Sequence, residues 1–67
     1  MTKKELALLY WDGPLPEDPR TAVRRLSRWI VLNAALLEEL MATGYTLKQK
    51  VLTKKQVEII YKHLGEP

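Results

Sequence analysis

Apolar residues recur at helical spacing in four segments of the chain, and each segment is bounded by residues that favour helix ends. The first segment begins with a capping box, in which the side chains of Thr2 and Glu5 each satisfy the other residue's free backbone N–H. Gly13 and Pro14 end it, because both residue types interrupt helices. The expected core face of this helix consists of Leu6, Leu9 and Tyr10.

The second segment has the clearest start signal in the chain. Asp18 offers an N-cap oxygen, and Pro19 occupies the first helical position, where its missing N–H is not needed. At about 100° per residue, the apolar side chains of this segment fall within an arc of about 120°. This arc is expected to face the core and consists of Ala22, Val23, Leu26, Trp29 and Ile30.

Asn33 leaves two alternatives open for the chain that follows. It either caps a separate third helix over residues 34–43, or lies within one bent helix. A rotation of the apolar face at this point favours the break, and Gly44 supplies the left-handed residue that closes the third helix. The expected stripe of this helix is Leu36, Leu37, Leu40 and Met41.

Residues 45–52 show no helical pattern and are expected to be irregular, with a short extended stretch at their end. A second capping box, Thr53 with Gln56, then begins the last helix, and Gly65 ends it. Its expected stripe is Val57, Ile60, Tyr61 and Leu64. The pattern predicts a single all-α domain over residues 1–67, with three or four helices in a helix-turn-helix-like arrangement.

Length and composition limit the kinds of site that this domain can hold. The chain has 67 residues and no cysteine, which removes disulfides and thiolate metal sites. The chain has one histidine, His63, whereas an ordinary zinc site needs several histidine or cysteine ligands. We therefore expect neither a metal nor a cofactor. No apolar run is long enough for a signal peptide or a membrane span, and we expect a cytoplasmic protein without membrane contact.

The net charge of +3 is concentrated on the second helix. All four arginines lie there, opposed only by Asp18, while the remaining seven lysines and seven acidic residues cancel. On a helical wheel the arginines span about 140° opposite the apolar arc. Planar guanidinium groups suit phosphates and base edges, and the hydroxyl of Thr21 can add a phosphate contact. The arginines are Arg20, Arg24, Arg25 and Arg28.

Two interpretations of this basic face remain open. Any surface helix needs a polar face, and Arg24 or Arg28 can pair with acidic residues on either side. The acidic residues in question are Glu17, Asp18, Glu38 and Glu39. The absence of any acid between Asp18 and Glu38 favours an open face, since salt-bridged faces mix signs. A second basic cluster either extends this surface or only solubilises the chain, and consists of Lys48, Lys50, Lys54 and Lys55.

Parts of the sequence resemble known families. The run Glu5-Leu6-Ala7, followed by residues 19–22 and 24–30, is similar to the DNA-binding helix-turn-helix of MerR-type and excisionase-type regulators. This resemblance implies that Arg20, Thr21, Arg24 and Arg28 stand on the exposed face of a reading helix, with Trp29 as its core-anchoring aromatic. The regulators' pattern has a shorter turn than residues 12–18, and the predicted helix over 34–43 is an extra one.

The whole chain, through His63-Leu64-Gly65-Glu66-Pro67, also resembles a family of very short bacterial proteins that is described only as a domain of unknown function. That resemblance implies no activity.

An enzyme is not expected. His63 lies in a helix C-terminal turn, where the dipole favours a surface histidine, and Ser27 has no His or acid at a plausible sequence distance. Glu38 and Glu39 are adjacent, so they point in different directions and form no acid–base pair. No small-molecule substrate is evident.

We therefore expect a small non-catalytic module that binds nucleic acid, specifically DNA. The expected contact residues are Arg20, Thr21, Arg24, Arg25, Arg28, Lys54 and Lys55. The alternative is a protein-interaction module or a homodimer, because several apolar residues lie off the helical stripes. These candidate interface residues are Leu8, Val31, Leu32 and Ile59.

Overall fold

The computed structural model describes all residues, 1–67, and consists of four α-helices without a sheet. The helix α2 packs against α1 and α3, and α4 packs against α3. The predicted all-α class is thereby confirmed. The helices are α1 (Lys3–Leu9), α2 (Pro19–Leu32), α3 (Ala34–Met41) and α4 (Lys54–Leu64).

Side-chain caps begin all four helices, as the sequence predicts. Thr2 forms the capping box of α1, in which Thr2 Oγ1 accepts from the Glu5 backbone N–H at 3.0 Å. Thr53 does the same for α4, and the Asp18 side chain caps α2. Asn33 Oδ1 accepts a hydrogen bond from the Leu36 backbone N–H at 3.1 Å. Because Asn33 itself is extended, α2 and α3 are separate helices.

The third helix ends at Met41, two residues before the predicted end, and the chain then turns. Gly44 follows with a φ of +87°, a left-handed conformation that glycine adopts without steric cost. The next residue, Tyr45, folds back into the core and is only 4% exposed.

The predicted irregular segment after Tyr45 is confirmed, and it runs antiparallel to the N-terminus. An isolated bridge joins Thr2 and Val51. The backbone N–H of Lys3 donates to the Lys50 carbonyl, and that of Leu52 donates to the Met1 carbonyl, both at 2.8 Å. These bonds fix the segment beside the start of α1.

Ten buried residues form one hydrophobic cluster. All four helices contribute to it, and Tyr45 and Leu52 of the irregular segment complete it. The cluster consists of Leu6, Ala7, Ala22, Leu26, Ile30, Leu36, Leu40, Tyr45, Leu52 and Ile60.

The predicted core face of α1 is partly wrong. Leu9 is 52% exposed, whereas Ala7 is buried. The face that meets α2 is centred between Leu6 and Ala7, and Leu9 lies about 110° from that direction on the helical wheel. Lys3 shares the buried face and is only 3% exposed.

Two further residues expected in the core are exposed. Met41 is 61% exposed, because the buried face of α3 follows Leu36 and Leu40 and Met41 is about 100° beyond it. Trp29 is 36% exposed, because it stands at the end of the apolar arc of α2. The Trp29 ring still packs edge-on against the ring of Tyr10, with centroids 6.2 Å apart.

Two of the proposed interface residues are instead packed against the core. Leu8 and Ile59 are half-buried and contact the hydrophobic cluster. For Ile59 the cause is Gln56, which is 2% exposed and shifts the buried face of α4 toward Ile59. Less of these two side chains is therefore free for an interface than the sequence suggested, and their part in one stays a prediction.

Candidate nucleic-acid interface

The helix α2 carries the four arginines on the side opposite its buried face, and all four are exposed. The position of each arginine around the helix axis determines which side chains lie next to it. Arg20 stands on the same side as Val23, at one edge of the polar arc, and Arg25 stands beside Trp29 at the other. Arg24 and Arg28 occupy the middle of the arc, together with the exposed Thr21.

Arg20 is paired with the residue that caps its own helix. Its Nη2 lies 2.7 Å from Asp18 Oδ2, and its Nε donates to the same carboxylate. This hydrogen-bonded pair lowers the pKa of Asp18 and raises that of Arg20. The Arg20 side chain is nevertheless 77% exposed, and exposed ion pairs are weak, so Arg20 can exchange this partner for another anion.

Arg25 is held by an aromatic ring. Its guanidinium carbon lies 4.1 Å from the ring centroid of Trp11, in the geometry of a cation–π contact. The Trp11 Nε1–H donates to the Pro14 carbonyl at 2.8 Å, which fixes the ring in the connection between α1 and α2. Arg25 therefore stabilises this connection.

Arg24 and Arg28 have no carboxylate within 4.0 Å, and we call them the open arginine pair. Of the acidic residues considered as partners, Asp18 is bonded to Arg20, and the nearby charge of Arg24 is the smallest of the causes that lower the pKa of Asp18. Glu39 Oε1 accepts from Lys62 Nζ at 2.8 Å and contacts His63 Nε2 at 3.0 Å, so it joins α3 to α4. Both contacts lower the pKa of Glu39, with Lys62 as the larger cause.

The basic surface of α2 continues across a cleft at the first turn of the helix. Arg20 and Val23 line one side of this cleft, and residues near the start of α1 and in the irregular segment line the other. The lysines that the cleft brings near Arg20 are Lys3, Lys4, Lys48 and Lys50. The sequence indicated Lys48 and Lys50 as part of a basic cluster, but nothing in it connected Lys3 or Lys4 to α2.

Lys54 and Lys55 are not brought together with the arginines. Both are exposed in the first turn of α4, a helix that packs on α3 and not on α2. Their predicted part in the same surface has no geometric support.

The other two candidate interface residues, Val31 and Leu32, are both exposed. Val31 is 47% exposed and Leu32 73% exposed, in the last turn of α2.

The structure brings no cluster of three His, Asp or Glu side chains together to hold a metal ion. None of the four helices has the length and apolar character that crossing a lipid bilayer requires.

Comparison with known proteins identifies a family from the sequence of the chain. The model of a family described as a domain of unknown function (DUF4248) matches residues 1–67. The chain belongs to this family. The expected membership in a family without known activity is thereby confirmed, whereas the local similarity to MerR-type regulators stays a prediction. No curated protein and no solved structure matches the chain.

Proposed function

We propose that the protein is a small non-catalytic nucleic-acid-binding module that contacts duplex DNA through the polar face of α2. The observation that carries this proposal is the open arginine pair: Arg24 and Arg28 are exposed, adjacent on one face and free of carboxylate partners. A helix that carries unpaired guanidinium groups can neutralise phosphates and release the counterions of DNA.

The charges around the pair support the same conclusion. Thr21 adds an exposed hydroxyl between the two arginines and the start of the helix, a residue type that contacts phosphate oxygens. Arg20 lies one helical turn before Arg24 and connects the pair to the lysines of the cleft. Three cations in successive turns then follow one line along the helix, Arg20, Arg24 and Arg28.

The expected mode of contact differs from a standard helix-turn-helix. Residues 10–18 separate α1 from α2, whereas the motif turns in three or four residues. The N-terminal ends of both helices line the same cleft, and Tyr10 at the end of α1 packs on Trp29. The two helices thus run in the same general direction. The proposed contact is therefore made by the α2 face together with the cleft.

A charge-matched pair of double variants tests the proposal. Arg24→Glu with Arg28→Glu and Lys54→Glu with Lys55→Glu lower the net charge equally, and all four positions are exposed. Fluorescence anisotropy would measure the binding of a labelled duplex of about two helical turns. We expect the arginine variant to lose about tenfold or more in affinity and the lysine variant to lose clearly less.

Two outcomes of that titration would overturn the proposal. One is the absence of wild-type binding at about 50 mM salt, where phosphate contacts are strong. The other is an equal loss of affinity in the two variants, which would show that net charge matters and the α2 face does not.

Self-association is the second candidate, and the exposure of Leu32 favours it. Val31 and Leu32 lie on the polar arc of α2, so a partner covering them would lie along the same helix. Light scattering at increasing concentration tests this: a dimer that Leu32→Ser dissolves would support it. A monomer at all concentrations would exclude it.

A further inference from the structure

A cleft of about 500 Å³ opens between the start of α1, the first turn of α2 and the irregular segment. Nine residues line it, and five of them are cations, while none is a carboxylate. Its volume lies within the range of ordinary small-ligand sites. The five cations are Lys3, Lys4, Arg20, Lys48 and Lys50.

The two carboxylates closest in sequence to these cations compensate the charge of the cleft only in part. Glu5 Oε1 accepts from the Thr2 backbone N–H at 3.1 Å within the capping box of α1. Asp18 pairs with Arg20 at the start of α2. No salt bridge holds Lys4, Lys48 or Lys50. The exposed positive charge that faces the cleft is therefore largely uncompensated.

Lys3 adds a buried ammonium group to this cleft. The residue is only 3% exposed, and its Nζ donates one hydrogen bond, to the Leu47 carbonyl at 3.0 Å. The same Nζ lies 5.2 Å from the ring centroid of Tyr45. An ammonium has three donors, so the protein leaves part of this group's hydrogen-bonding capacity unused. An anion in the cleft would satisfy it and offset the cost of burying the charge.

We propose that this cleft is a phosphate-binding site, in which Lys4, Lys48 and Lys50 attract the ligand and Lys3 donates from the wall. Phosphate fits the residues because it carries up to two negative charges and several strong acceptor oxygens for charge-assisted hydrogen bonds. The cleft is also large enough for the sugar or base attached to it.

The phosphate has two possible sources. It belongs either to the backbone of a nucleic acid that lies along α2 or to a free nucleotide. The first alternative rests on the proposed function, and the second does not. In the first case Arg20 joins the two surfaces, because it lines the cleft and precedes the open arginine pair by one helical turn.

Titration with inorganic pyrophosphate, followed by calorimetry, tests the cleft directly. Two charge-matched double variants accompany the wild type: Lys48→Gln with Lys50→Gln, and Lys54→Gln with Lys55→Gln. All four positions are exposed, and the second pair lies on α4 outside the cleft. We expect the cleft variant to bind pyrophosphate about tenfold more weakly and the control to remain within about twofold of wild type. No saturable binding, or an equal loss in both variants, would overturn the site.

The same proteins separate the two sources and keep this proposal distinct from the proposed function. Competition of pyrophosphate with a DNA duplex for the wild type would assign the site to backbone phosphate. Pyrophosphate or adenosine monophosphate binding in a protein that ignores DNA would assign it to a free nucleotide and reject the DNA proposal alone. DNA binding without pyrophosphate binding, and unchanged in the cleft variant, would reject the cleft alone.

Discussion

The guanidinium group of Arg25 lies over the indole ring of Trp11, with 4.1 Å between the guanidinium carbon and the ring centroid. This contact separates Arg25 from the open arginine pair, although the sequence presents four similar arginines on one helix. A guanidinium that already lies against a ring stabilises the fold, whereas Arg24 and Arg28 have no such partner within the chain.

The variant Arg25→Gln is expected to lower the free energy of unfolding by about 0.5–1 kcal/mol, the usual size of an exposed cation–π contact. Arg28→Gln removes the same charge from the same helix face without a ring contact, and we expect a smaller effect on stability. Urea denaturation of both variants measures the difference. Equal stabilities would mean that the Trp11 contact contributes nothing.

The Gln56 side chain, 2% exposed, connects α4 to the end of α3. Its Oε1 accepts from the Thr53 backbone N–H at 3.0 Å and from Gln49 Nε2 at 2.6 Å, and its Nε2 donates to Thr43 Oγ1 at 2.9 Å. Replacing Gln56 by Met keeps a similar volume but leaves these groups without a partner. We expect unfolding to become easier by about 1–3 kcal/mol.

The matched control for Gln56→Met is Gln49→Met. Gln49 is only half-buried and makes one of the three contacts to Gln56, so its loss should cost less. Thermal or urea unfolding of both proteins gives the comparison. If Gln49→Met were as destabilising as Gln56→Met, the network would not depend on the buried amide.

The burial of Lys3 predicts that the stability of the protein depends on pH. Burial lowers the pKa of its ammonium group below the ordinary lysine value of 10.5. As the pH rises through that lowered pKa toward 10.5, the folded state has released the proton while the unfolded state still binds it, so folding becomes more favourable. The wild type should therefore gain stability relative to Lys3→Met between neutral and alkaline pH.

Urea unfolding of the two proteins at pH 7 and pH 10 measures this gain. Burial also raises the pKa of Tyr10, to about 12, which makes folding less favourable at the highest pH values. Because both proteins contain Tyr10, its contribution cancels in the difference. A stability difference that stays constant with pH would show that the ammonium group titrates alike in the folded and unfolded states.

Local signals in the sequence predicted the helices well. The two capping boxes, Asp18 before Pro19 and Asn33 each define a helix start through bonds between residues two or three positions apart. Such bonds depend only on neighbouring residues, which is why the sequence contains enough information to predict them.

The direction in which each helix buries its side chains was harder to predict. Leu9 and Met41 have helical spacing with core residues but lie about 100° from the direction of the neighbouring helix. Gln56 is polar and was left out of the stripe, yet its hydrogen bonds allow it to be buried. Burial depends on where the partner helix lies, which spacing within one helix does not contain.

The basic cleft could not be predicted from the sequence, because it also depends on how distant segments pack together. The Lys3 side chain meets the Leu47 carbonyl across 44 sequence positions, and no local pattern joins them. In the sequence, Lys3 and Lys4 are only two cations before an apolar run. The antiparallel bridge between Thr2 and Val51 brings Lys48 beside them, and the packing of α1 on α2 brings Arg20.

The most direct test of the DNA proposal is the salt dependence of duplex binding by the wild type and by Arg24→Gln with Arg28→Gln. Each phosphate contact contributes about 0.9 to the slope of the logarithm of the association constant against the logarithm of salt concentration. We predict a steep negative slope for the wild type and a slope shallower by about 1.8 for the variant. A wild-type affinity that does not change with salt, or the same slope in both proteins, would contradict the account.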